Sequence, residues 1–378
     1  MSKQIYGRFP VKLLLATLLM SSAASSYADT DVLRKPVGVG AYELVFNASH
    51  PSLLVATTQN RNDQGGVVYE LDAKTLAVMH AIKTGKKPFG AAINNRTHTA
   101  YFGGSIEGCL IAVDTETGQV KGILTLASQS HTAGKPENQE GKKSEGKEQK
   151  PANGNHRGND NRPPAPRELT VDEQTNTVYV SGVNRNDSLI WVVDGATLTL
   201  KDTLHGFGIM NTGLAIDSEN HRLYTSNASG EFITLDTASN KIVARKTITT
   251  DGQAHLLMNI SLDRKGHRAF IADNKADTIL VVDTNSSDVI GRINVPESLS
   301  VLYNPQRNEI YAAHRNNGTV SIINGTTYAV AKTIRLPVHP NSLALNPQGD
   351  ALYVTVKQES NRDNPTTAPD DVVRIDLK

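Results

Sequence analysis

The sequence predicts a β-propeller of seven four-stranded blades, closed by an N-terminal strand that pairs into the last blade. Three observations predict it. The chain repeats with a period of roughly 40–50 residues, the range of propeller blades. Seven strand ends fall at matching places in the repeat and close on Asp or, once, Asn. The last unit lacks a fourth strand, while an unaccompanied strand stands at the other end of the chain.

The clearest unit covers residues 211–217, 221–227, 231–236 and 241–248. Each piece is short and rich in β-branched and aromatic residues, and turn residues such as Asp-Ser-Glu-Asn separate the pieces. The third strands end at Asp72, Asp114, Asp194, Asp236, Asp283, Asn324 and Asp376. A carboxylate or amide there starts a turn by accepting the backbone N–H groups that follow. Residues 32–37 resemble 332–337, which form a fourth strand, so the N-terminal segment should supply the strand missing from the last unit and close the ring.

The first 28 residues read as a secretory signal. Lys3, Arg8 and Lys12 form a positive segment that runs into a short apolar stretch at 11–20, and Ser26 and Ala28 provide small residues for cleavage. A ten-residue stretch is too short to cross a bilayer as a helix, and no later run is long enough. The expected mature chain, 29–378, is a periplasmic monomer. The chain has 39 Lys and Arg against 38 Asp and Glu, and the leader removes three cations and no acid. Bulk charge therefore makes no case for a polyanion; only local asymmetry can. The single cysteine, Cys109, excludes an intrachain disulfide and a cysteine-rich metal site.

Residues 127–165 break the repeat. They are dense in Lys, Glu, Gly, Asn and Pro and too poor in apolar groups to offset the entropy of ordering. The reading is a disordered rim loop. A partner tether, or weak metal capture by His131 and His156, is the alternative.

Aligned first strands give columns that descend a central channel. The rim column is Tyr42, Phe89, Arg167, Thr212, Met258, Glu297 and Asn341. Alternation turns the second column toward the channel, which places Glu43, Glu168, Asn259, Ser298 and Ser342 at its mouth. The fourth column is small throughout. Polar groups there suit a water-filled channel, or a hard-cation or small-polar-ligand site in which Glu43, Glu168 and Asn259 are the metal candidates. The loops on the same face carry Arg61, Arg185, Lys275, Arg315 and Lys357, and the segments entering the first strands add Lys86, Lys87, Arg162 and Arg167. Tyr42, Phe89, Phe207, His255 and His339 lie among them. Cations beside flat rings suit single-stranded nucleic acid, which offers phosphates and base faces. Glu43, Glu107, Asp187, Asp251 and Glu297 dilute the pattern, so a solvated face of mixed charge is the alternative. Trp191 sits mid-strand and is expected in the core. No nucleophile elbow, zincin, haem-attachment or P-loop motif is present.

Tyr353-Val-Thr-Val356, Tyr179-Val-Ser181 and Tyr224-Thr-Ser-Asn227 resemble the signature of the YVTN family of β-propeller repeat proteins. Further matching segments run from Gly40-Ala-Tyr-Glu43 to His339-Pro-Asn-Ser-Leu-Ala344 and span the mature chain. The polar insertion departs from the family pattern. The resemblance implies a seven-bladed propeller, a periplasmic location, expression linked to iron limitation, binding of single-stranded DNA, no cofactor and no enzyme activity. The leading expectation is a non-enzymatic binding protein for single-stranded DNA or another polyanion on the loop face. The alternatives are a Ca²⁺-type hydrolase or lactonase in the channel and a protein-interaction scaffold.

Overall fold

The computed structural model describes residues 1, 32–127, 162–336, 338–360 and 366–378. The leader beyond Met1 lies outside the described residues, as do His131, His156 and the insertion between 128 and 161. The remainder is all-β. Seven four-stranded antiparallel sheets stand around an axis, and each runs in chain order from an inner to an outer strand. The exception to chain order is blade seven. Its inner strands come from the C-terminal end of the chain and its outer strand is Val32–Gly38. That strand pairs with Asp370–Asp376, with Val32 opposite Ile375 and Lys35 opposite Val372, as the sequence predicts.

Burial explains which residues form which strand. Middle strands have a neighbouring blade on each face, so they read as continuous runs without alternation: Ser52–Thr57 and Thr99–Gly104 are buried throughout. Outer strands have one solvated face and alternate, as in Gln119–Thr125. The apolar core is divided into seven clusters, each spanning the space between adjacent blades. Trp191 is buried in the cluster between blades two and three.

Six of the seven third-strand ends act as the sequence predicts, and the seventh, Asp376, instead pairs with Arg374 at 2.6 Å. Asp72 Oδ1 accepts the Thr75 N–H at 2.7 Å, Asp114 that of Thr117 at 2.8 Å, and Asn324 that of Thr327 at 2.9 Å. Those hydrogen bonds favour the ionised form and hold the Asp72 carboxyl below its ordinary value. The repeated tyrosine of the second strand has a separate use. Tyr101 of blade two donates to the carbonyl of Gly195 in blade three at 3.0 Å, and Tyr353 of blade seven donates to Ala73 of blade one at 3.0 Å. Each ring fills an interface while its hydroxyl ties the turn of the following blade.

Two boundaries differ from expectation. Ala127 packs on the core beneath blades two and three, and the inner strand of blade three already begins at Ala165 (Ala165–Asp172). The irregular segment is thus shorter than 127–165. In blade six the columns are displaced by two residues. The inner strand is Ser300–Asn304, and Leu302 lies opposite Tyr311 where Ala344 lies opposite Tyr353. Ser300 therefore takes the second-column place expected for Ser298, and Leu299 the rim place expected for Glu297. The fourth column consequently contains Leu302 and is not uniformly small.

Candidate anion-binding channel mouth

The seven inner strands surround a cavity of about 430 Å³. Its wall includes Tyr42, Glu43, Phe89, Arg167, Glu168, Thr212, Met258, Asn259, Leu299, Ser300, Arg315, Asn341 and Ser342. The backbone explains why side chains gather here. In blades one, three, five and seven the pairing of inner and second strands is irregular between Ala41 and Leu44, Pro166 and Leu169, Leu257 and Ile260, and Pro340 and Leu343. Each irregularity spans the rim and second columns. Bulged residues leave the ladder and their side chains are re-aimed, which brings Tyr42, Arg167, Asn341 and their neighbours to the mouth.

The second column does more than face the channel. Inner strands have no strand beyond them, so their inward N–H groups need other partners. Glu43 Oε2 accepts the Ala91 N–H of blade two at 2.8 Å. Asn259 Oδ1 accepts the Val301 N–H of blade six at 3.0 Å, and Ser261 Oγ accepts that of Tyr303 at 2.9 Å. Gly90 holds the second-column place in blade two, where a Cβ would lie 1.9 Å from the carbonyl oxygen of Arg167. The glycine lets blade three approach, and the Glu168 carboxyl comes close enough to that of Glu43 for the two to interact. Burial holds both carboxyls well above the ordinary carboxylate range, and the repulsion between the two raises Glu168 further. The two carboxyls titrate as a pair, and both shifts favour the protonated form.

Above the pair stand three cations. Arg167 lies over the rings of Tyr42 and Phe89 at 5.8 and 5.7 Å. Lys357 Nζ sits 3.9 Å from the centre of the Tyr42 ring, donates to the Ala41 carbonyl at 3.0 Å and pairs with buried Asp370 at 3.4 Å. Arg315 donates to the amide oxygen of Asn341 at 2.8 Å. Neither Arg167 nor Arg315 forms an ion pair among the described residues. Burial pushes Lys357 and Arg315 down from their ordinary values, and the charge of Arg167 adds to the effect on both. Arg315 also lines a second, more open groove of about 500 Å³ with Asn316, Asn317, Arg335 and His339.

Other predicted groups are placed differently. Arg61, Arg185, Lys275 and Arg162 are exposed on loops of the same face, outside the cavity wall, and Lys86 is half-buried. Lys87 is buried, and its ammonium is held by the carbonyls of Thr58 at 3.0 Å and Asn60 at 2.7 Å, so it serves the loop above blade one rather than a ligand. Phe89 and Phe207 are buried, and His255 is clamped between Asp273 at 2.6 Å and Asp251 at 2.7 Å. Tyr42 is covered by Phe89, with ring centres 4.4 Å apart, and by Lys357. The rings therefore position cations and do not offer free faces to bases. Ser298 is not at the mouth: it is fully buried and its hydroxyl meets His314 Nδ1 at 3.1 Å. Arg335 and Asn316 were not among the sequence candidates. Arg335 ends an outer strand (Val330–Arg335), and no column of inner-strand residues contains it.

For a hard cation the donors are few. Glu43, Glu168 and Asn259 supply side-chain oxygens, but one oxygen of Glu43 and that of Asn259 already accept backbone N–H groups, whereas Ca²⁺ takes six to eight oxygens. Among the described residues no group of three or more His, Cys, Asp or Glu is arranged to hold a metal ion.

No family model matches the chain. It is 49% identical over 366 residues to the "Uncharacterized protein YncE" of Salmonella typhi, covering 97% of this chain and 96% of the relative. It is 47% identical over 372 residues to that of Escherichia coli (strain K12), covering 98% of each. Among solved structures, a chain in the crystal structure of a mitotic checkpoint complex superposes with a TM-score of 0.65 at 14% identity, covering 99% of both chains. That likeness is one of fold. A propeller of this kind fits a binding or scaffold role.

Proposed function

The chain belongs to the YncE family, and on that footing we propose that it is a periplasmic binding protein that acts without catalysis and holds an anionic ligand on its loop face, single-stranded DNA or another polyanion. The observation that carries the reading is Arg315. Its guanidinium is half-buried, has a neutral amide as its side-chain partner, and faces Arg167 across a cavity, with Lys357 held against Tyr42 beside it. The acids near Arg167, Arg315 and Lys357 are Asp370, which pairs with Lys357, and the Glu43–Glu168 pair, whose carboxyls burial shifts toward the neutral form. An anion is the partner such a mouth lacks. The adjoining groove continues the positive surface outward past Arg335 and His339. A single strand is narrow and flexible enough to follow that path, whereas a duplex is a stiff rod.

The test is a binding titration with single- and double-stranded oligonucleotides across a salt series. Affinity should fall linearly in log–log form, with a slope of about 0.7 per phosphate contact on a single strand. Arg315→Ala should make the slope shallower by about one contact. Undetectable binding by the intact protein at low salt removes the reading.

A further inference from the structure

We propose that the central cavity is an end-recognition site for a phosphate monoester, the terminal phosphate of a strand or that of a free nucleotide. The inference deepens the polyanion reading and rests on it. Its first ground is shape. The cavity is ringed by residues of all seven inner strands, from Tyr42 and Phe89 round to Asn341. A ligand end can enter such a well, but the interior of a strand would have to enter doubled back. The open groove that shares Arg315 gives the rest of a strand an exit across the loop face.

The second ground is the number and direction of donors. Arg167 comes from the inner strand of blade three, Arg315 from the loop after the second strand of blade six (Glu309–His314), and Lys357 from the end of Ala351–Lys357 in blade seven. Arg167 and Arg315 line one well from different sides, and Lys357 lies beside it against the Tyr42 ring. A phosphodiester in mid-strand has two free oxygens and one charge. A monoester has three terminal oxygens and a charge near −2 at neutral pH, so it can engage both guanidiniums at once and is favoured further by the nearby charge of Lys357. Arg167 and Lys357 are fixed by Tyr42 at 5.8 and 3.9 Å, so little ordering is left to be done on binding. The carboxyls of Glu43 and Glu168 also line the well and add polar groups to its wall.

The experiment compares one oligonucleotide sequence with a 5′-phosphate, a 3′-phosphate or hydroxyls at both ends, alongside a nucleoside monophosphate, its nucleoside and inorganic phosphate as competitors. One phosphorylated end should bind about tenfold tighter than the hydroxyl form. The monophosphate and inorganic phosphate should displace the phosphorylated strand, and the nucleoside should not. Arg315→Ala should abolish the end preference while lowering the affinity of the hydroxyl strand only by one salt-dependent contact. Arg315→Lys, which keeps charge without the planar fork, should restore part of it, and unchanged melting temperatures would exclude misfolding. Equal affinity for phosphorylated and hydroxyl strands overturns the end site and leaves the polyanion reading standing. Binding of the monophosphate with no binding of any strand overturns the polyanion reading and leaves the well as a small-phosphate site. The order of affinities between monophosphate and phosphorylated strand distinguishes the two sources.

Discussion

The hydroxyl of Tyr353 donates to the carbonyl of Ala73 at 3.0 Å, across the seam where blade seven meets blade one. The donor lies in the second strand of one blade and the acceptor one residue past the turn-forming Asp72 of the next. Tyr101 and Gly195 repeat the relationship between blades two and three. Blades one and five carry Leu54 and Phe270 at the matching place, opposite Val45 and Ser261. The hydroxyl is thus an addition to a packing position rather than a condition for it.

Tyr353→Phe should lower stability by about 1–3 kcal/mol, because it keeps the ring and leaves a buried carbonyl short of its donor. Urea unfolding with unchanged m-value checks this. A neutral result would show that the seam does not depend on the hydroxyl.

The closing strand makes a second prediction. Arg34 Nε donates to Asp371 at 2.8 Å, and Val37 is buried against blades one and seven. Deletion of residues 32–37 should lower the melting temperature and expose the edge of Asp370–Asp376, a template for pairing with another chain. Light scattering at increasing protein concentration should show association. A truncated protein as stable and monodisperse as the full chain would contradict the ring closure.

The carboxyl pair gives a pH dependence whose sign follows from its direction. Glu43 and Glu168 are raised above 4.5, so between that value and their folded values the native state binds more protons than the unfolded chain. Their stabilising contribution is complete below the ordinary value and is lost as pH rises through the raised ones. Glu168→Gln removes one titrating group and keeps a donor toward Glu43. The variant should match the parent near pH 5 and melt a few degrees higher near pH 8. Parallel pH curves would show that the pair does not titrate in that window.

His255 titrates in a different window. Burial works against its charge, but the carboxylates of Asp251 and Asp273 outweigh burial and raise the imidazole above 6.5. Its stabilising charge is therefore complete below 6.5 and is lost at higher pH. His255→Asn should destabilise most below that point, with the penalty shrinking on the alkaline side. Thermal melts at paired pH values separate this effect from that of Glu168.

The aromatic pair at the mouth tests the division between support and contact. Phe89 is buried beneath Tyr42, so Phe89→Ala should cost about 3–5 kcal/mol of stability by leaving a cavity. Tyr42→Leu should instead weaken anion binding through Arg167 and Lys357. Because both sides of the ring are covered, oligonucleotides of different base composition should bind alike. A strong base preference lost in Tyr42→Leu would show that the ring stacks on bases after all.

The blade number was legible in the sequence because Asp72 and five counterparts combine a local turn requirement with a regular spacing, and Asp376 repeats the spacing. The closing strand was legible because 32–37 has the pattern of an outer strand and no strands of its own. The register of blade six was not. Ser298 and Ser300 are both small and polar and share Leu299 as a neighbour, and a shift of two leaves a period-two pattern unchanged. What separates them is three-dimensional: the Val301 N–H donates to the amide oxygen of Asn259, and Ser298 turns inward to His314. At the site, residue type alone identified Arg167, Arg315 and Lys357 but equally suggested Lys87. Its ammonium points inward to the carbonyls of a neighbouring loop, a contact set by blade packing rather than by local sequence.

Arg34 and Asp371 meet across 337 positions of the chain. A chain made from its N-terminus produces one half of this contact almost first and the other almost last. Six blades pair strands that are neighbours in the chain, whereas the seventh needs Val32–Gly38, so its closure has the highest contact order in the ring and is the step expected to be slow. The delay sets a kinetic window rather than a large equilibrium penalty, because closure entropy grows only slowly with length. Within that window two nascent chains can exchange their first strands. Crowded synthesis therefore favours swapped dimers, whereas dilute refolding favours the closed ring.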